Sequence, residues 1–182
     1  MTVVSDSGPL LALAKVCGLE ALFRLFPRVL TPPAVYEEVV TAGLRLGAPD
    51  AALLEASYRS KQLEIISPGP PALPVPALLG PGEEQSILLA IAQRASWLLI
   101  DDLDARRAAF VNLEAAGAVT RLKGTLGVIV AAWEGEHLSK AEAIALVETA
   151  RNRPDIWLGS ALCDRVLALL ERPLADSAGP AE

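Results

Sequence analysis

Val3-Val4-Ser5-Asp6-Ser7-Gly8 and Leu98-Leu99-Ile100-Asp101-Asp102 share one form, a short apolar run that stops on a carboxylate. Apolar runs without polar alternation suit strands covered on both faces, as parallel sheets require. In open sheets of that kind ligands bind in the crevice outside the carboxyl ends of the strands. A chain that sets acids at those ends is constrained in its fold and in where its chemistry sits.

Helical patterns separate the runs. Residues 10–26 carry Leu10, Leu13, Ala14, Leu22 and Phe26 at helical spacing as far as Pro27, and 28–31 read as a short strand. Thr31 then caps a helix that enters through Pro32-Pro33 and continues to Leu46. A shorter helix over 49–61 precedes a strand over 63–66. From Gly82 the pattern predicts a helix to Ala95, a buried strand over 97–100, a helix starting near Asp102 and a last short strand over 118–120. Three helices with apolar stripes follow over 124–134, 139–150 and 159–171, and Ser139 with Glu142 has the form of a capping box. Alternating strands and helices predict an α/β fold with a mostly parallel central sheet and helices on both faces.

Six prolines from Pro68 to Pro81 inclusive exclude both a helix and a central strand there. We read 67–81 as an extended loop, since the residues before it hold too few strands to close a core of their own. One domain over 1–174 is expected, with 175–182 a fraying tail.

Of the 182 residues 52% are apolar, yet no uncharged apolar run is long enough to span a bilayer. Met1 leads almost directly into the first strand, without a basic segment, an apolar stretch and a cleavage site in series. Cys17 and Cys163 fall in helical apolar patterns and read as buried thiols, so a cytoplasmic location is expected. A net charge of −6 argues against a nucleic-acid binder that works through a basic surface. It leaves room for a nuclease that gathers carboxylates around metal ions. A single histidine, His137, disfavours histidine-based zinc sites and Ser-His-Asp triads.

Two strand ends can adjoin in a parallel sheet, and carboxylates placed side by side are costly unless a cation neutralises them. Hard ions such as Mg²⁺ and Mn²⁺ are held by a few carboxylates together with waters and phosphate oxygens. At 100° per residue, Val35, Val39, Ala42 and Leu46 form the inward stripe of their helix, with Glu38 on its flank and Glu37 on the far side. The same geometry favours Glu84 over Glu83, because Glu84 points with Ile87, Leu88 and Ile91. Ser7 stands next to Asp6 and can orient a water or substrate. Arg106, one turn beyond Asp102, can meet a phosphate or steady a carboxylate. The plainer readings are that Asp6 caps a helix, that Asp101 or Asp102 caps the next, and that Glu83 and Glu84 match the dipole of a helix start.

Four segments together carry a resemblance: Val3-Val4-Ser5-Asp6-Ser7-Gly8-Pro9-Leu10, Pro33-Ala34-Val35-Tyr36-Glu37-Glu38-Val39, Gly82-Glu83-Glu84-Gln85-Ser86-Ile87, and Leu99-Ile100-Asp101-Asp102-Leu103-Asp104-Ala105-Arg106. In that order they resemble PIN domains, in particular the branch known as DUF3368, which Gly124-Thr125-Leu126-Gly127-Val128 and Trp157-Leu158-Gly159 also resemble. The resemblance implies a three-layer α/β/α domain whose acidic residues bind Mg²⁺ or Mn²⁺ and cleave single-stranded RNA. Related VapC-type toxins pair with small antitoxin proteins and tend to be homodimers. By motif match Asp6 takes the first acidic position, Glu38 the second, Glu83 the Glu of the Gly-Glu pattern, and Asp102 or Asp101 the third. Where such nucleases often carry a further acid this chain has Gly124-Thr125, and Thr125 offers a hydroxyl to a water or ligand instead of a charge. The expected function is a metal-dependent endoribonuclease. The alternatives are a nuclease-inactive module that binds RNA or protein, and, last, a phosphatase with Asp6 as nucleophile, whose Asp-x-Asp pattern Gly8 breaks.

Overall fold

β1 (Val3–Ser5) lies at the centre of a five-stranded, all-parallel sheet of order β3-β2-β1-β4-β5, formed with β2 (Val29–Thr31), β3 (Leu63–Ile65), β4 (Trp97–Leu99) and β5 (Arg121–Lys123). The computed structural model describes residues 1–69 and 79–171. The tail expected over 175–182, and most of the proline-rich loop expected over 67–81, lie outside the described residues.

All three residues of β1 are buried, because helices cover both faces of the sheet. Val3, Val29, Leu63 and Leu99 face α1 (Ser7–Lys15), α2 (Leu19–Leu25), α5 (Pro49–Arg59), α8 (Thr125–Glu134), α9 (Lys140–Asn152) and α10 (Ser160–Glu171). Val4, Leu30, Leu98 and Ile100 pack on the other side against α6 (Pro81–Ala92) and α7 (Leu103–Ala115). Period-two alternation along each strand thus feeds two cores and gives the expected α/β/α layering. Ser139 and Glu142 close the expected capping box at the start of α9, through bonds of 2.7 and 3.2 Å. No helix among the described residues is long and apolar enough to cross a membrane.

The order places the switch point between β1 and β4, the strands that carry Asp6 and Asp101 at their carboxyl ends. Ser5 pairs with Leu99, and the Asp6 amide donates to the Leu99 carbonyl at 2.9 Å, so the acids leave the sheet side by side.

Four local expectations need correction. The helix expected over 10–26 is two helices, divided where Cys17 takes a left-handed conformation (φ 60°). The Cys17 amide donates to Ala14 and the Gly18 amide to Leu13, which satisfies the last carbonyls of α1. Cys17 is therefore exposed rather than buried, while Cys163 is buried as expected. The helix after Pro32-Pro33 consists of α3 (Pro33–Tyr36), a π-helical turn (Glu37–Ala42) and α4 (Gly43–Arg45). The wider turn rotates the residues after it, so Val35, Val39 and Val40 are buried and Leu46 is 85% exposed. The last strand is Arg121–Lys123 instead of 118–120. It is an edge strand whose cations are absorbed by Trp97: the Arg121 guanidinium and the Lys123 ammonium lie 4.1 and 4.5 Å from the ring centroid.

Candidate active site at the carboxyl edge of the sheet

Asp6 follows β1 directly. Its backbone is extended (φ −77°, ψ 172°), as at a helix N-cap, yet its side chain bonds no amide of the first turn of α1. Asp6 is 6% exposed, and its Oδ1 is one of two buried side-chain polar atoms without a hydrogen-bond partner among the described residues. Burial pushes its carboxyl up to about 7; the Ser7 and Gly8 amides, near it but short of hydrogen-bond geometry, oppose this, and the charges of Glu83 and Glu38 reinforce it. An orphaned oxygen of this kind, close to other acids, is unfavourable unless something comes to it.

Glu38 reaches the same place from the π-helical turn, where its Oε2 accepts the Ser7 hydroxyl at 2.7 Å. Ser7 therefore orients a carboxylate. Glu37 turns away to pair with Arg45 at 3.5 Å. Gly82, at the start of α6, lies against this group. A Cβ at Gly82 would stand 3.1 Å from Glu38 Oε2, 3.3 Å from Asp6 Oδ1 and 3.4 Å from Ser7 Oγ, so the missing side chain leaves a space bounded by three oxygens.

Glu83 accepts the Gly80 amide at 2.9 Å, one half of a capping box, and its charge bears on Asp6. Glu84 instead lines a separate cavity of about 270 Å³ with Pro33, Gln85 and Leu88. The first turn of α6 is thus oriented by its cap rather than by the stripe of the later turns, which is why helical periodicity favours the other residue.

Asp101 and Asp102 divide their work. Asp102 is the N-cap of α7, its Oδ1 accepting the amides of Asp104 and Ala105 at 2.9 and 2.8 Å, and it is exposed. Asp101 turns inward, where Thr125 donates its amide to Oδ1 at 2.8 Å and its hydroxyl to Oδ2 at 2.6 Å. Burial pushes the Asp101 carboxyl up, while the Thr125 donors and the Arg106 charge pull it back. Arg106 spends Nη1 on the Ile100 carbonyl at 2.8 Å, so it braces the turn that carries Asp101. Asp101 Oδ2 and Asp6 Oδ2 lie 3.8 and 3.9 Å from the point where a Cβ of Gly8 would stand.

The residues brought together are Asp6, Glu38 and Ser7 on one side of that edge, Asp101 and Thr125 on the other, with Glu83 close enough to act by charge. Gly8, Gly82 and Gly124 escaped sequence reasoning as site residues. Their only signal was glycine beside each acidic motif, where side chains must approach the backbone closely.

Among the described residues no three His, Cys, Asp or Glu side chains converge tightly enough to cage an ion alone. The donor set nonetheless fits a hard divalent ion, which takes one or two carboxylates and keeps several waters. Asp6 Oδ1 is the orphaned ligand such an ion would satisfy, and glycine at 82 keeps a Cβ from standing against that oxygen.

A five-stranded parallel sheet with acids at its switch point is an α/β fold of the kind on which PIN nucleases are built. A family model described as DUF3368, PIN domain, matches residues 2–172, and the chain belongs to that family. PIN domains are generally nucleases that use divalent metals. No curated protein and no solved structure matches the chain.

Proposed function

We propose that this protein is a metal-dependent endoribonuclease that hydrolyses phosphodiester bonds in single-stranded RNA at the Asp6 edge, and that it acts as a toxin held in check by a small antitoxin protein. The observation that carries the reading is the buried, unpartnered Asp6 Oδ1, facing Glu38 and the space beside Gly82. Asp6 and Asp101 would hold Mg²⁺ or Mn²⁺, with Glu38 and Glu83 alongside. When bound, the ion supplies a hydroxide nucleophile and offsets charge on the phosphate and leaving oxygen. The chain's own share is orientation. Ser7 fixes Glu38 as an acceptor beside Asp6, Arg106 and Thr125 fix the position of Asp101, and burial keeps the site's dielectric low, which strengthens each contact with a cation.

Purified protein with Mn²⁺ is expected to cleave single-stranded RNA, and Asp6→Asn to lose that activity; equal cleavage by the two proteins would sink the proposed site. Between the adjacent acids, we assign the function to Asp101. Asp102→Ala is expected to retain cleavage while losing about 1 kcal/mol of stability with its cap, whereas Asp101→Asn loses cleavage. Denaturant midpoints and initial rates of the two variants check both halves.

A second reading, a nuclease-inactive module that binds RNA or a protein, is favoured by Gly124-Thr125 standing where a further acid is common. Mn²⁺ binding without cleavage of any single-stranded RNA would select it.

A further inference from the structure

Asp101 owes its orientation to a segment 24 residues away in sequence. Thr125, fully buried, is the first residue of α8, and Gly124 joins it to the edge strand β5. A Cβ on Gly124 would stand 2.6 Å from Asp101 Oδ1, closer than the pair can tolerate. Only glycine there lets the carboxylate approach near enough to take both Thr125 donors. Arg106 closes the third side, its Nη1 3.6 Å from the same point.

Each oxygen of Asp101 thus receives one donor and keeps further lone-pair capacity, and the plane of the carboxylate is fixed. Asp101 Oδ2 lies near Gly8, on the side where Asp6 Oδ2 also lies.

We propose that Gly124-Thr125 is a positioning device that aims Asp101 at a divalent cation shared with Asp6, doing by orientation what a further carboxylate would do by charge. This rests on the metal site proposed at Asp6. An acid at 124 would collide with Asp101, and an acid at 125 would exchange the hydroxyl donor for a second buried anion facing it, so the clamp and an added acid exclude one another. A plain helix cap would make the same two hydrogen bonds, but its loss would not change how tightly a cation binds.

The test is Mn²⁺ binding to the full chain by calorimetry, with thermal midpoints recorded in EDTA. Thr125→Ser keeps both donors and is expected to bind as the wild type does. Thr125→Val and Gly124→Ala are expected to bind about 10- to 100-fold more weakly, the usual effect of removing the partner that orients a ligand. On an Asp101→Asn background, Thr125→Val is expected to weaken Mn²⁺ no further, because its effect passes through Asp101. Wild-type affinity in Thr125→Val or Gly124→Ala overturns the proposal whatever their midpoints, and so does an undiminished Thr125→Val effect in the double variant. If Thr125→Val does not fold, Gly124→Ala, which leaves the Thr125 side chain in place and displaces the carboxylate from it, decides. A wild type that takes up no Mn²⁺ brings down the metal site itself and the clamp with it.

Discussion

Asp6→Asn is expected to make the metal-free protein more stable at pH 8 while removing its response to divalent cations. The unfolded Asp6 carboxyl titrates near its ordinary 3.8 and the folded one near 7, chiefly because it is buried. Between those values the folded state keeps a proton that the unfolded state releases, so stability is lost as pH rises through that window and stays lost above it. The penalty is on the order of 4 kcal/mol at full ionisation, taken as an upper figure. Asparagine has the shape of the protonated acid and no charge to desolvate. Its advantage in EDTA should therefore vanish below about pH 4, grow up to pH 7 and level off. For a chain of this size that upper figure amounts to a rise in thermal midpoint of roughly 8–16 °C. Mn²⁺ should narrow the gap, since an ion at one hundred times its Kd adds about 2.7 kcal/mol to the wild type alone, and should close it near one thousand times its Kd, where the gain is about 4.1 kcal/mol. Midpoints measured across pH, with EDTA and with Mn²⁺, check both arms. A variant less stable than wild type in EDTA at pH 8 would mean that Asp6 already has a satisfying partner.

Gly82→Ala is expected to abolish cation binding and lower cleavage by about two orders of magnitude or more, an effect of the size seen when a precisely arranged site is misplaced by about 1 Å. The added methyl would stand 3.1–3.4 Å from Glu38 Oε2, Asp6 Oδ1 and Ser7 Oγ, in the space bounded by those oxygens. Helix α6 has no reason to weaken, because alanine is the better helix former by up to about 1 kcal/mol. Retained stability in EDTA together with lost Mn²⁺ binding is the expected signature. Full activity in this variant would place the reacting phosphate elsewhere.

Both substitutions pit function against stability, which is what an acid cluster built for a cation predicts when the cation is absent. Among the described residues Asp6 Oδ1 is buried without a hydrogen-bond partner, and asparagine would remove a charge that burial and the neighbouring Glu83 and Glu38 disfavour.

The central strands were readable because helices cover them on both sides, so Val3-Val4 and Leu98-Leu99-Ile100 stand out as unbroken apolar runs. Their acids then fell at the carboxyl edge as a matter of topology. Arg121-Leu122-Lys123 was not readable as a strand, because its cations settle on a Trp97 ring that comes from another strand. The π-helical turn left no local mark either. Regular 3.6-residue periodicity put Leu46 inward, and the wider turn put Val40 there instead. Glu38, expected on the flank of the inward stripe, lies only two residues into that turn, and its Oε2 accepts the Ser7 hydroxyl. Asp101 and Asp102 were inseparable in sequence because the difference between them is made by distant partners: Thr125 draws one inward, and the amides of α7 keep the other at the surface. Glycine at 82 and 124 was visible, but its meaning depends on carboxylates that only the fold brings within reach.

The most direct measurement is a crystal structure of the protein grown with Mn²⁺, read by anomalous scattering at the manganese edge. The expected result is a peak about 2 Å from Asp6 Oδ1, between Asp6 and the Glu38 and Asp101 carboxylates, absent from crystals of Asp6→Asn. Full-occupancy manganese bound only away from Asp6, or the same peak persisting in Asp6→Asn, would contradict a cation site at this edge of the sheet.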